Sequence, residues 1–289
     1  MKHNKCIICN KIEYVSAFPF NTKFNDKIFE YKKCTNCKFV RIFPYPNKQD
    51  LDELYNNKSY HEKFYGDVNK IEYKESVKFL KKFTKSRVKI LDYGSGNGDF
   101  INEIEGMHDC YGVEYSPDTI KILKKKFKNS TILDISEFEN KKYNNFFDIV
   151  HLGDVLEHVT NPDGLLISMY EKIKKDGLLY VEGPLERNFS LVNISILLFG
   201  NLKKFIIPSY KNDFKPYHLY FCDFENQLLM FKKNKNFKIM EYMIYETGWP
   251  YNTGGYIKKL ISLMAILLSK LNIFGLKIGN RFRIILQKK

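Results

Sequence analysis

Three glycines at alternate positions, Gly94, Gly96 and Gly98, follow an apolar run that ends in Asp92: "VKILDYGSGNGDF". Glycine has no Cβ, so this turn can adopt backbone angles that other residues resist and let a ligand approach main-chain atoms. The spacing differs from the GxGxxG of dinucleotide-binding proteins, whose third glycine comes one residue later. Glu114 lies 22 residues after Asp92, at the end of "CYGVEY". A carboxylate there can accept both hydroxyls of a ribose, which points to a nucleoside cofactor.

A second group of reactive side chains sits in "GDVLEHV". On a helical turn Asp154, Glu157 and His158 would share one side at i, i+3 and i+4. His158 could then serve as a general base that takes a hydroxyl proton. The same three residues could hold a Mg2+-like or softer divalent ion that lowers the pKa of an acceptor hydroxyl. A structural reading is also open, with Glu157 capping or pairing with a loop beside the cofactor and His158 packing.

Cys6, Cys9, Cys34 and Cys37 form two CxxC pairs, while Cys110 and Cys222 stand apart. Two such knuckles can aim four thiolates at one tetrahedral Zn2+, and four cysteines leave no coordination position open, so the expected role is structural. The intervening "KIEYVSAFPFNTKFNDKIFEYKKC" has the length of a two-stranded excursion.

The elements that must position these groups follow from periodicity. After a zinc-ribbon module over 1–45 comes a polar, Tyr-rich linker over 46–68 with a short helix, then a domain over 69–289. Within it an amphipathic helix spans about 69–83, from the spacing of Ile71, Tyr73, Val77, Leu80 and Phe83. Strand and helix signals then alternate from "VKILDY" to "GLLYVEGP", which predicts an α/β fold with a mostly parallel sheet covered on both faces. The rhythm breaks over 185–215, an apolar insertion expected to lie over the carboxyl edge of the sheet as a lid. The last run, "RFRIILQKK", reads as a strand that closes the sheet.

The DxGxGxG pattern resembles motif I of the class I S-adenosylmethionine-dependent methyltransferases, and the later motifs agree in order across residues 70–184. The resemblance implies a Rossmann-like fold with a seven-stranded sheet. It implies cofactor contacts from Asp92, Gly94, Gly96, Gly98, Glu114, Tyr115, Asp134, Ile135 and Gly153, with Glu114 on the ribose and Asp134 near the adenine amino group. "DVLEH" is similar to the ExxEH of ubiquinone-pathway and small-RNA 2'-O-methyltransferases, with Asp154 shortening one arm. It also places His218 and Tyr217 on the substrate side, so the candidate catalytic residues are Asp154, Glu157, His158 and His218. A four-cysteine ribbon joined to this domain resembles bacterial sugar and polysaccharide-pathway methyltransferases. The implied acceptor is a hydroxyl of a nucleotide- or lipid-linked sugar. The chain stops before the further C-terminal α/β domain of longer members, which weighs against C-methylation. Two alternatives stay open: an isoprenoid or quinone-like lipid phenol as acceptor, and a zinc-ribbon protein that binds RNA or a partner on a degenerate methyltransferase scaffold.

Composition narrows the partners. With 44% hydrophobic and 16% aromatic residues the chain is a folding one despite a net charge of +14. Only five of 47 basic residues are arginine, and the lysine excess reads as solubility before nucleic-acid binding. "MKHNKCIICN" does not open as a leader peptide, so a cytoplasmic location is expected, with contact at the inner membrane face as a variant. That variant comes from the amphipathic segment 256–289. Its apolar stretch from Leu260 to Leu268 is far short of the roughly 20 residues that span a bilayer. Its lysine flanks fit an interfacial helix on anionic lipid or a helix packed on the sheet.

Overall fold

The runs "KILDY", "FDIVHLG" and "GLLYVEG" are apolar on alternate and intervening positions alike, as strands covered on both faces must be. The computed structural model describes residues 5–24, 26–55, 73–84, 86–210, 218–271 and 275–289. In chain order its strands are β1 (Tyr14–Phe24), β2 (Lys27–Cys34), β3 (Val40–Phe43), β4 (Lys89–Tyr93), β5 (Asp109–Val113), β6 (Thr131–Leu133), β7 (Phe147–Gly153), β8 (Ile173–Pro184), β9 (Tyr220–Phe221), β10 (Phe237–Tyr245) and β11 (Arg281–Lys288). Its helices are α1 (Lys48–Tyr55), α2 (Lys74–Leu80), α3 (Asp99–Ile104), α4 (Pro117–Lys126), α5 (Ile135–Glu139), α6 (Pro162–Lys172), α7 (Leu191–Ile206), α8 (Phe224–Lys233) and α9 (Tyr256–Ser269).

Seven strands form one sheet in the order β10-β11-β8-β7-β4-β5-β6. The pairs β4–β5, β5–β6, β4–β7 and β7–β8 are parallel, while β11 runs antiparallel to both β8 and β10. This is the expected α/β, Rossmann-like arrangement. The order turns back at β4, which pairs with β5 on one side and β7 on the other. Such a switch point opens a crevice at the carboxyl ends of the two strands. Helix starts are written in the sequence: Ser116 accepts from the Thr119 N–H ahead of Pro117, and Asn161 accepts from the Gly164 N–H ahead of Pro162.

Two expectations need correction. The final strand does not close the sheet at an edge: β11 is inserted between β8 and β10, and Ile284 and Ile285 are fully buried. Between β8 and β10 the backbone of its apolar "IIL" triplet is paired on both sides, and Ile284, Ile285 and Leu286 are buried. The DVLEH segment is not a regular helix either. Asp154 has φ +53°, and only Leu156–His158 form a single 3-10 turn.

The "KIEYVS…" excursion forms the β1–β2 hairpin, and β3 extends it. The fourth strand of this sheet is β9, drawn from the far side of residue 45. Of the linker, α1 is described and residues 56–68 lie outside the described residues, as do Ile71 and Tyr217. The insertion supplies α7, capped by Ser190.

Candidate active site

The glycine loop leaves the carboxyl end of β4. Gly94, Gly96 and Gly98 have φ of +79°, +51° and +73°, the left-handed region. A Cβ on Gly98 would lie 2.3 Å from the Phe127 ring, and one on Gly94 would lie 2.8 Å from Val155 Cγ2. The first contact seats α3 against the end of α4. The second brings the loop into touch with the DVLEH turn, which leaves the neighbouring strand β7.

Glu114 closes the loop from β5. Its Oε2 accepts the Gly96 N–H at 2.8 Å and its Oε1 accepts the Tyr115 N–H at 2.7 Å. The Ser116 N–H also approaches Oε1, at 3.5 Å, so the carboxylate is held in place by the backbone on both sides of the loop. Tyr115 is exposed, and its hydroxyl donates to Asp52 of α1. Asp134 caps α5: its Oδ1 accepts from the Ser136 hydroxyl at 2.7 Å and the Glu137 N–H at 2.8 Å. Those donors hold its carboxyl below the usual range. Ile135 opens that helix, and Gly153 ends β7 beside the His151 ring.

Beneath the loop lies a buried polar chain. His151 Nδ1 is 2.8 Å from Asp92 Oδ1, and its Nε2 is 3.1 Å from Glu182 Oε1. Glu182 Oε2 accepts from Arg283 Nε at 3.0 Å, the Ser76 hydroxyl at 2.9 Å and the Tyr180 hydroxyl at 3.1 Å. The His151 ring stacks on Phe100 at 3.8 Å between centroids. Burial would lower the His151 pKa, but hydrogen bonds to Asp92 and Glu182 raise it to about 9. Burial likewise opposes ionisation of Glu182, and His151 with Arg283 and Arg281 brings it down to about 2. The pair is thus charged, and Asp92 is committed to it through Oδ1.

The DVLEH turn divides its acids. Asp154 faces β11, where Arg281 Nη2 donates to its Oδ1 at 2.6 Å. Glu157 and His158 instead meet His218, and one ligand atom from each of the three lies within 4.8 Å of the others. His158 and His218 rings touch edge to face at 4.9 Å. His218 Nδ1 pairs with Glu186, just beyond β8. The Glu157 carboxyl is buried and its Oε1 has no hydrogen-bond partner among the described residues. Burial, then the Asp154 carboxylate, push its pKa up to about 8. For His218 burial works downward, yet Glu186, Glu157 and Asp154 raise it to about 9.

The site fits an adenosyl sulfonium cofactor. Three glycines with left-handed φ open the backbone of the turn at the switch point, and the Glu114 carboxylate lies against it. A methyltransferase-domain family matches residues 68–229, more than half of the chain. The chain belongs to that methyltransferase family. It is an S-adenosylmethionine-dependent methyltransferase. Its fold is similar to that of a SAM-dependent methyltransferase from Aquifex aeolicus, at 12% identity over 81% of this chain and 99% of that one, TM-score 0.50. It is also similar to the PH0226 protein from Pyrococcus horikoshii OT3, at 17% identity over 81% and 100%, TM-score 0.52. A search of curated proteins finds no significant match.

Sequence reasoning missed five residues around the candidate site. His151 and Glu182 sit inside strands, where apolar neighbours mask them. Arg281 and Arg283 come from the last strand, more than a hundred residues from their partners. One signal was available: they are two of only five arginines in a lysine-rich chain. Glu186 was likewise absorbed into the insertion.

The methyltransferase's cysteine cluster has the expected form. Cys6 Sγ lies 3.5 Å from Cys37 Sγ, and Cys9 Sγ 3.6 Å from Cys34 Sγ. All four sulfurs lie within 4.8 Å of one another. Tetrahedral thiolates at zinc stand about 3.8 Å apart, so the set fits that ion. The two knuckles repeat one geometry: the Asn10 N–H returns to Cys6 O at 2.8 Å and the Lys38 N–H to Cys34 O at 3.0 Å. Asn10 and Lys38 both take left-handed φ, +62° and +66°. No helix among the described residues is long and apolar enough to cross a membrane.

Proposed function

We propose that the enzyme methylates a hydroxyl of a nucleotide- or lipid-linked sugar, with His158 as the base. The observation that carries the hydroxyl acceptor is the Glu157–His158–His218 cluster, built on the turn whose Val155 touches Gly94. S-adenosylmethionine, when bound, supplies a methyl already activated by its positive sulfur. Glu114 and the glycine loop hold the adenosyl part, with Asp134 toward the adenine. The protein then needs an aligned acceptor oxygen and a group to take its proton. His158 takes that proton, and His218, oriented through Nδ1 by Glu186, fixes the acceptor beside it. The sugar class is supported by the four-cysteine module joined to this domain. That module holds one structural Zn2+ through Cys6, Cys9, Cys34 and Cys37.

A metal-assisted reading is favoured by the partnerless Glu157 Oε1. In it Glu157, His158 and His218 would hold a divalent ion, which would supply Lewis-acid lowering of the hydroxyl pKa, and Asp154, held by Arg281, would take no part. The apolar insertion favours a lipid phenol as second acceptor class.

Calorimetry with S-adenosylmethionine and S-adenosylhomocysteine, then a methyl-transfer screen across nucleotide sugars and lipid phenols, tests the reading. His158→Ala should lose about 100-fold or more in kcat with cofactor affinity kept. Unchanged turnover would exclude the base. Elemental analysis should find about one Zn per chain; a second metal lost on Glu157→Gln would select the metal-assisted route.

A further inference from the structure

Two stretches that stand apart in sequence, 185–215 and 256–289, meet in the fold. Helices α7 and α9 pack on each other around Val192, Tyr251 and Ala265. The faces they turn inward include small or polar side chains: Asn193 and Ser195 on α7, Ser262 and Ala265 on α9. The faces they turn outward are apolar. On α7 Leu198, Leu202, Phe205 and Ile206 are 65%, 53%, 84% and 66% exposed. On α9 Ile257, Leu260, Leu263 and Leu267 are 74%, 58%, 55% and 53% exposed. Each set follows helical spacing, so each helix presents one continuous apolar stripe to the outside. A surface helix of a water-soluble domain shows the opposite polarity. Two adjacent stripes of this kind mark a surface meant to be covered.

Charge decides what covers it. No Asp or Glu occurs between Arg187 and Tyr210, and none from Thr247 to Lys289. Lys203, Lys258, Lys259 and Lys270 flank the stripes and are exposed. A second copy seated face to face would bring lysine against lysine with no acid to answer it. An anionic bilayer satisfies both properties, taking the leucines into its boundary and the lysines among its headgroups. Tyr256, the first residue of α9, is 96% exposed, and Trp249, seven residues ahead of it, is 54% exposed; both are aromatics of the kind enriched at membrane interfaces. At 16 and 14 residues the helices reach about 24 and 21 Å, too short to cross and suited to lying in the plane.

We propose that α7 and α9 form one membrane-docking face for anionic lipid. Helix α7 begins five residues after Glu186, the partner of His218, so docking brings the acceptor side of the enzyme to the bilayer. The inference does not rest on the acceptor reading, because binding is measured without cofactor or acceptor.

The test is flotation of the full chain with phosphatidylcholine vesicles, alone or mixed with phosphatidylglycerol. Emission of Trp249, the single tryptophan, is followed in parallel. Retention only on the mixed vesicles, a blue shift there and release by added salt are expected. The double change Phe205→Glu with Leu263→Glu should abolish retention. Lys258→Glu with Lys259→Glu should weaken it about tenfold or more. All four positions are exposed, and unchanged S-adenosylmethionine affinity and circular dichroism would show that the variants fold. No retention on either vesicle, equal retention on neutral vesicles, or retention that survives the double change would overturn the proposal. So would sedimentation showing a dimer that Leu263→Glu dissociates without vesicles present.

Discussion

His151 is the residue on which the floor of the site depends. Its imidazolium bridges Asp92 on β4 and Glu182 on β8, under the strands that carry the glycine loop and the Glu186 turn. Tyr73, Tyr180, Ser76 and Arg283 close the chain from α2, β8 and β11. Because the folded pKa of His151 is raised from 6.5 to about 9, its contribution to stability is complete below pH 6.5 and lost as pH rises through 9. Glu182 is lowered from 4.5 to about 2, so its contribution is complete above 4.5 and lost as pH falls through 2. Urea unfolding should therefore give a plateau between these windows and falling stability from neutral pH toward pH 9. A flat profile over the alkaline window would contradict the charged pair. His151→Phe takes the cation from the buried Asp92 and removes one of two that pair with Glu182, Arg283 being the other, and should cost about 3 kcal/mol or more by the same assay. At the loop, Gly98→Ala meets both a left-handed φ and the Phe127 ring, and should cost about 1 kcal/mol or more in stability.

Among the elements, β9 joins the cysteine sheet to the Glu157–His158–His218 cluster. It is two residues long, pairs with β3 of the cysteine sheet, and directly follows the turn that holds His218. Ile42 donates to Leu219 O at 2.9 Å, Leu219 donates to Glu157 O at 2.7 Å, and the Tyr31 hydroxyl donates to His218 O at 3.0 Å. From the other side Asn226 of α8 donates to Cys37 O at 3.0 Å. The cysteine knuckles thus bear on the backbone of the Glu157–His158–His218 cluster. Chelation of zinc, or Cys37→Ser, should lower kcat about tenfold or more through displacement of His218, while S-adenosylmethionine affinity stays near wild type. Equal losses in both would mean that the module holds up the whole fold. The strands β4 to β8 were legible because each is a short apolar run bounded by turn residues. A two-residue strand such as β9 carries no period at all, so nothing in "YFCD" could announce its partner.

At the scale of the molecule, the shared sheet argues against an N-terminal module that unfolds alone. Arg41 belongs to both parts: its side chain is buried in the module, 4.2 Å from the ring centres of Phe43 and Tyr45 and donating to Lys5 O at 2.9 Å, while its backbone pairs with Tyr220 of β9. Urea transitions followed by circular dichroism and by Trp249 emission should coincide. Two separated transitions would show independent units. The net charge of +14 has a place as well as a size, since the acid-free C-terminal stretch gathers it beside the apolar stripes of α7 and α9.

By itself the sequence determined the glycine turn, the acid that closes it, the four-cysteine cluster and the alternation that makes a parallel sheet. These are local patterns, and their chemistry is set by residues close together in the chain. Only the tertiary structure decided that Asp154 goes to Arg281 while His218 joins Glu157 and His158. The same holds for His151 between two carboxylates and for two apolar helices sharing a face. Each of these depends on which strands become neighbours, and strand order is fixed by burial across the whole sheet, a property no single stretch contains.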